Sequence, residues 1–225
     1  MQFADELEQV LPADLPHRAR VLAHAARHLE LIIAANEHLN LTRITSPREA
    51  AIKHVLDAVL PWRLFAGARR VVDAGSGPGF PGVPLALVLP EVRFLLAESV
   101  QKKARFLDAA VAELNLPNVT VLPQRAEEVL RTAKADVVTA RAVAPLSRAV
   151  GLFAPAVKAG TRAFFYKGPD AETEIAEAAA ETRKHRMFLR LVDRYELPDS
   201  FGVRTVVEMS RYGRLEDRND SSRSD

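Results

Sequence analysis

Cysteine is the most informative residue that the 225-residue sequence lacks. Without a thiol the chain holds no disulfide, no thiolate-bound metal and no iron–sulfur cluster, and it has no cysteine nucleophile. The absence of disulfides also fits a cytoplasmic protein, which is the location that we expect.

Aromatic residues, long apolar runs and net charge are also scarce. Aromatic residues form 6% of the chain, too few for a wide platform that stacks single-stranded nucleic acid. The longest uncharged run, residues 74–90, contains four glycines and four prolines, so we expect no membrane-spanning helix there. The 31 Lys and Arg residues nearly balance the 29 Asp and Glu residues, which gives a net charge of +2. Total charge alone therefore does not indicate a nucleic-acid binder.

The hydropathy pattern divides the chain into three parts. Residues 1–66 carry apolar residues at helical spacing, which predicts a helical extension packed on the main domain. Residues 67–212 form the main domain, and the mostly polar residues 213–225 predict a disordered tail.

Strands and helices alternate in the main domain. We expect strands at 71–74, 93–97, 119–122, 135–140 and 162–166, then a hairpin of strands at 187–195 and 203–210. Helices are predicted at 46–60, with Ser46 as N-cap, and at 83–89, 101–115, 146–157 and 172–184. This alternation predicts an α/β fold with a mostly parallel sheet and the hairpin as an antiparallel edge.

A glycine-rich loop follows the first predicted strand. Gly75, Gly77 and Gly79 form a G-x-G-x-G pattern, and Phe80 stands where a dinucleotide fingerprint requires glycine. The prolines at 78 and 81 remove amide donors that a pyrophosphate would use. The loop therefore favours a nucleoside ligand without phosphates, such as S-adenosylmethionine.

Two acidic residues flank this loop. Glu98 ends the second predicted strand, where an acid accepts hydrogen bonds from ribose hydroxyls. Asp73 precedes the glycines, and the sequence leaves open whether it polarises the loop or only caps it.

Several motifs resemble one known family in their order and identity. They are Asn-Glu-His-Leu-Asn-Leu-Thr at 36–42, His54 and Asp57, Asp-Ala-Gly-Ser-Gly-Pro-Gly-Phe-Pro-Gly at 73–82, Gln-Arg-Ala-Glu-Glu at 124–128, Arg-Ala at 141–142 and Lys-Gly at 167–168. The chain resembles the bacterial small-subunit (16S) ribosomal RNA guanine-N7 methyltransferases, the glucose-inhibited division protein B family.

The resemblance implies a class I (Rossmann-like) methyltransferase fold with six parallel strands and one antiparallel strand. It also implies that S-adenosylmethionine contacts the positions of Gly75, Phe80, Ala126, Glu127 and Arg141, with Glu98 as the ribose acid. The implied partner is 16S rRNA, the small ribosomal subunit or an assembly intermediate.

The residues suit methyl transfer to guanine N7. This atom presents a free lone pair, so the reaction needs alignment of donor and acceptor and no general base. Methylation at pyrimidine C5 normally needs a cysteine nucleophile, which is absent. None of the 14 prolines is adjacent to another, so the Pro-Pro motif typical of exocyclic amine methylation is missing.

Charge is segregated along the chain near the predicted site. Residues 137–169 contain five basic residues and no acidic one, and residues 170–181 contain five acidic ones. Within the basic segment, Arg141 and Lys167 follow predicted strands, so we expect both to position RNA.

Four polar residues of the helical extension have open roles. For His54, Asp57, Asn36 and Asn40 we favour structural hydrogen bonding, with a place near the substrate as the alternative. No third ligand joins His54 and Asp57, so we expect no metal site. We also expect a monomer.

Three other functions remain as alternatives. A small-molecule methyltransferase would use the same cofactor in a well-covered site, although Arg141 and Lys167 argue against it. A nucleotide-dependent oxidoreductase conflicts with Phe80, and a non-enzymatic RNA-binding protein conflicts with the intact loop and Glu98.

Overall fold

The computed structural model describes residues 2–211. The tail predicted for residues 213–225 lies outside this range, so its disorder stays a prediction. Within residues 2–211, no helix combines the length and the hydropathy that a membrane crossing requires.

The strands in the described residues form one mixed sheet. They are β1 (Arg70–Ala74), β2 (Arg93–Ala97), β3 (Val119–Leu122), β4 (Val137–Arg141), β5 (Arg162–Lys167), β6 (Met187–Leu197) and β7 (Gly202–Arg211). Their order in the sheet is β3-β2-β1-β4-β5-β7-β6. Six strands share one direction and β7 opposes them, which confirms the predicted α/β methyltransferase fold.

The hairpin forms one edge of the sheet with antiparallel pairing, as predicted, and the structure adds the order of its two strands. The antiparallel strand β7 lies inside, paired with both β5 and β6, and β6 forms the edge. Residues 205–210 of β7 are all buried, whereas β6 is partly exposed along most of its length.

The helices flank this sheet. They are α1 (Gln2–Val10), α2 (Arg18–Leu39), α3 (Pro47–Ala50), α4 (Asp57–Val59), α5 (Gly82–Val88), α6 (Gln101–Glu113), α7 (Ala126–Thr132), α8 (Leu146–Lys158), α9 (Ala171–Glu177) and α10 (Ala179–His185). Wide π-helical turns over Ala51–Leu56 join α3 to α4, and a 3-10 turn covers Trp62–Leu64.

Three features differ from the predicted helices. Helix α7 was not predicted, and the helix expected at 172–184 is broken at Ala178 into α9 and α10. Ser46 does precede the first turn of α3, but its side chain makes no capping hydrogen bond. Glu49 of the same turn accepts from Lys53 at 2.6 Å instead.

Apolar side chains form a core on each side of the sheet. The first core joins Leu7 of α1 and Leu29 of α2 to Leu107 of α6 and to Phe94 of β2. The second core surrounds Phe153 of α8 on the opposite side. The predicted extension, residues 1–66, thus shares a core with the main domain, and the division at residue 66 stays a prediction.

The strand register brings the predicted site residues to one edge of the sheet. Ala74 of β1 is level with Ala97 of β2 and with Ala140 of β4. Gly75, Glu98 and Arg141 each come next in the chain. Parallel strands therefore deliver the glycine loop, the acid and the arginine to the carboxyl edge where the strand order reverses.

Candidate functional site

The glycine loop bends tightly over the end of β1. Gly75, Gly77 and Gly79 have φ angles of 70°, 57° and 113°, a left-handed region that glycine adopts without steric cost. The amides of Gly75 and Ser76 both donate to the carbonyl of Ala97, at 2.9 and 3.2 Å. The loop is therefore anchored to β2 and turns a bare backbone outward at Gly75.

Asp73 supports the loop from below. Its Oδ2 accepts the amide of Gly82 at 3.0 Å, where α5 begins. The carboxyl group is fully buried, and this burial raises its pKa to about 6. The sequence left open whether Asp73 polarises the loop or caps it, and the hydrogen bond to the Gly82 amide matches the capping role.

Glu98 also holds the loop. Its Oε2 accepts the amide of Gly77 at 2.9 Å, and its Oε1 accepts the amide of Val100 at 2.7 Å. The residue is 6% exposed. Each carboxylate oxygen has a second lone pair, so the ribose contact implied by the resemblance stays a prediction beside this structural role.

Two cavities open at this edge of the sheet and share Gly75. The larger has a volume of about 550 Å³. Its walls include Gly75, Gly77, Phe80, Arg141 and Lys167. The smaller has a volume of about 190 Å³ and is lined by Gly75, Ala126 and Glu127 among others. Six of the eight predicted cofactor residues therefore line these two adjoining spaces, whereas Glu98 and Gly79 line neither.

Gly79 faces the protein interior. It is buried, and a Cβ atom there would lie 2.8 Å from Val83 and 2.9 Å from His28. The geometry gives Gly79 a packing role behind the loop, and the predicted cofactor contact of this residue stays a prediction.

Arg141 is fixed in place by the helical extension. Its Nη1 donates to the carbonyl of Lys53 at 2.9 Å and to Oδ2 of Asp57 at 3.0 Å. Its guanidinium carbon lies 5.4 Å from the ring centre of Phe80. Asp57 also accepts the hydroxyl of Tyr195 at 3.0 Å, so one buried carboxylate connects β4 to β6.

Lys167 is fixed in a similar way. Its Nζ donates to the carbonyl of Ala144 at 2.9 Å and to Oε2 of Glu174 at 2.7 Å. Arg162, in the same basic segment, pairs with Glu208. Lys167 thus pairs with an acid of the adjoining acidic segment, whereas Arg141 and Arg162 pair with acids far away in the chain, so the fold brings opposite charges together.

Two buried histidines enclose Phe80, and His28 was not predicted from the sequence. The His54 ring stacks on Phe80 with centroids 4.6 Å apart, and the His28 ring lies 5.1 Å away at a tilt. Burial lowers the pKa of His28 to about 4, and burial with the charge of Arg141 lowers the pKa of His54 to about 3. Both rings are neutral near pH 7.

His28 connects the helical extension to the glycine loop. Its Nε2 lies 2.8 Å from the carbonyl oxygen of Pro78, which can only accept, so Nε2 carries the proton. A sequence signal existed, because Val21, Ala25, His28 and Ile32 follow one helical face and all four are buried.

The asparagines and His54 make contacts that fit the structural roles we favoured, but His54 also lines the larger cavity, so its place near the substrate stays open. The side chain of Asn36 exchanges two hydrogen bonds with the backbone of Thr42, at 3.0 and 2.9 Å. Thr42 Oγ1 lies 3.0 Å from Nε2 of His54. Asn40 ends α2 with a φ of 50°, a conformation that asparagine tolerates. Among the described residues, no group of three or more acids and histidines is arranged to hold a metal ion.

Comparison with solved structures supports the fold. An O-methyltransferase from Bacillus cereus, in complex with SAH, has a TM-score of 0.56 at 18% identity, covering 81% of this chain and 90% of its own. The O-methyltransferase TomG from Streptomyces achromogenes, in complex with SAM, has a TM-score of 0.55 at 16% identity and covers 81% and 89%. At such identities the likeness concerns the fold alone.

Comparison with a family model and with known sequences shows the family to which the chain belongs. The family model described as rRNA small subunit methyltransferase G matches residues 22–198. The protein of that name from Solibacter usitatus is 68% identical over 93% of this chain and 100% of its own length. The Carboxydothermus hydrogenoformans protein of the same name is 38% identical over 80% and 79%. The chain therefore belongs to the rRNA small subunit methyltransferase G family.

Proposed function

We propose that this chain transfers a methyl group from S-adenosylmethionine to N7 of a guanine in small-subunit (16S) ribosomal RNA. Family membership supports the rRNA methyltransferase activity, and the atom specificity is our inference. The observation that carries the proposal is the position of Gly75. It belongs to the walls of both cavities, at the edge where the parallel strands end.

The residues around Gly75 fit S-adenosylmethionine. A Cβ atom at Gly75 would lie 3.0 Å from Val143, so a side chain would fill the passage between the two cavities. We assign the adenine to the smaller cavity, beside Ala126 and Glu127, and the ribose to the side of Glu98. The cofactor supplies an electrophilic methyl group on a sulfonium.

The larger cavity would hold the acceptor base. The two contacts of Arg141 described above use Nη1, so its guanidinium keeps donors for O6 of guanine, the acceptor beside N7. Lys167 lines the same cavity. We keep for Arg141 the positioning of the RNA base that the sequence suggested, and Lys167 positions the acceptor side of the site from the cavity wall.

The chemistry of this cavity matches an acceptor that needs no deprotonation. Asp57 is engaged with Arg141 and Tyr195, and His54 is buried against Phe80. Methyl transfer to N7 requires in-line alignment, which is worth about 7–11 kcal/mol in well-oriented reactions. The chain contributes that alignment through a rigid loop and a fixed arginine.

The test is transfer of a tritiated methyl group to transcribed, unmodified 16S rRNA and to small subunits that lack the modification. We expect label in small-subunit RNA, and none in large-subunit RNA or with Gly75→Asp. Comparison of the two substrates also identifies whether free RNA or an assembled particle is the partner. Transfer to small molecules alone would instead support the small-molecule alternative, and sedimentation would test the expected monomer.

A further inference from the structure

The loop between β4 and α8 separates the two cavities. We call residues 142–145 the partition loop. Ala142 lines the larger cavity, whereas Val143 and Ala144 line the smaller one. Anything bound across Gly75, in both cavities, therefore contacts this loop.

The partition loop needs contacts from outside to keep its conformation. Ala142 has a φ of 56°, a left-handed backbone that alanine adopts only at a cost in energy. Val143 is 42% exposed, with its side chain beside Gly75. Neither residue is held by burial in a core.

Glu174 and Lys167 supply those contacts. Nζ of Lys167 donates to the carbonyl of Ala144, and the amide of Leu146 donates to Oε2 of Glu174 at 3.0 Å. The same Oε2 accepts from Lys167 at 2.7 Å. The loop is thus held on both sides of Pro145, which has no amide proton of its own.

The ion pair of Lys167 and Glu174 is positioned to hold the partition loop. The side chains of Lys167 and Glu174 are 12% and 28% exposed, so the ion pair is partly shielded from solvent. Oε2 of Glu174 also lies at the first turn of α8, where a carboxylate is favourable. Lys167 faces the cavity as the central member of this network, with two of its three protons engaged.

We propose that Glu174 is a positioning residue: with Lys167 it clamps the partition loop beside Gly75 and so sets the geometry of the passage between the cofactor and the acceptor. This inference rests on the proposed function and refines it. Lys167 then acts through the loop, and direct binding of an RNA phosphate by Lys167 is the competing role.

The experiment compares Glu174→Gln, Lys167→Met and the double variant with the unchanged chain. Glutamine keeps an acceptor for the Leu146 amide and removes the charge that holds Lys167. Glu177→Gln is the matched control, because Glu177 is an exposed acid on the same helix. Circular dichroism establishes that each variant is folded.

Three quantities are measured: S-adenosylmethionine affinity by calorimetry, kcat and KM with 16S rRNA, and amide exchange at residues 143–146. We expect Glu174→Gln and Lys167→Met each to weaken cofactor affinity about tenfold, the value of a lost charge-assisted hydrogen bond. Both should lower kcat, speed amide exchange in the loop and leave KM for RNA within about twofold. The double variant should resemble Lys167→Met, because both changes break one unit.

A different pattern would overturn the proposal. If Lys167→Met raises KM for RNA while Glu174→Gln leaves cofactor affinity and kcat unchanged, Lys167 contacts RNA directly and Glu174 is not a positioning residue. The proposal would also be refuted if Glu177→Gln lowered cofactor affinity and kcat as much as Glu174→Gln does. Calorimetry and amide exchange need no RNA, so the clamp is tested even if the unchanged chain fails to methylate 16S rRNA.

Discussion

Asp73→Asn tests the physical account of the glycine loop through the pH dependence of stability. The carboxyl group is fully buried, with Oδ2 on the amide of Gly82. Within residues 2–211, Oδ1 finds no hydrogen-bond partner. Burial raises the pKa of Asp73 from its ordinary value of 3.8 to about 6, because the charged form loses more hydration than Ser76, the Gly82 amide and the charge of Arg141 restore.

The magnitude follows from this difference in pKa. At about 1.4 kcal/mol per pKa unit, ionisation of Asp73 in the folded chain costs about 3 kcal/mol of stability. The folded state binds the proton more tightly than the unfolded state. The stabilising contribution is therefore fully present below about pH 4 and is lost as the pH rises through about 6.

Asparagine keeps an oxygen for the Gly82 amide and does not titrate. The free energy of unfolding of Asp73→Asn, measured by urea denaturation with circular dichroism, should gain about 3 kcal/mol relative to the unchanged chain between about pH 4 and about pH 7. The comparison at each pH cancels the contributions of other groups. A constant difference across that range would refute the buried, proton-retaining state of Asp73.

Three further predictions concern the site. Gly75→Asp should abolish S-adenosylmethionine binding in calorimetry, because the side chain enters the passage between the cavities, whereas Gly67→Asp, at a positive-φ glycine with open space around it, should bind normally; equal affinities would remove Gly75 from the site. Asp57→Ala should lower the free energy of unfolding by about 3–5 kcal/mol, since it leaves Arg141 without its buried partner, and a loss under about 1 kcal/mol in urea denaturation would contradict this. For His28 the folded pKa is about 4 against an ordinary 6.5, so its stabilising contribution is present above about pH 6.5 and is lost as the pH falls towards 4. His28→Gln keeps a hydrogen-bond donor and does not titrate, so the free energy of unfolding of this variant should fall by about 3 kcal/mol less than that of the unchanged chain over the same pH range. Parallel plots of the free energy of unfolding against pH for the two chains would refute the account.

Sequence patterns predicted the elements whose signals are local. Alternation of strands and helices located the seven strands of residues 2–211 to within a few residues, and the glycine pattern located the loop. The break at Ala178 has no glycine or proline to mark it, and α7 is too short for a clear period, with Ala126 and Val129 as its buried residues. The wide turns at Ala51–Leu56 carry the same apolar spacing as a regular helix.

The sequence named candidate site residues, which stay predictions, and it did not indicate their contacts. Arg141 and Lys167 were identified as basic residues at strand ends, and the fold pairs them with Asp57 and Glu174. Asp57 lies 84 residues from Arg141, so that pairing depends on the tertiary fold and no local pattern carries it, whereas Glu174 follows Lys167 by only seven residues. The link from His28 to Pro78 likewise joins residues far apart in the chain.

The measurement that tests the central claim most directly is the position of the transferred methyl group. Small-subunit rRNA labelled with this protein is reduced with borohydride and cleaved with aniline, which breaks the chain at 7-methylguanosine. The account predicts cleavage at a single guanine in reactions with the unchanged chain, and none with Gly75→Asp. Label that is retained in uncleaved RNA, or that lies on other atoms, would contradict it.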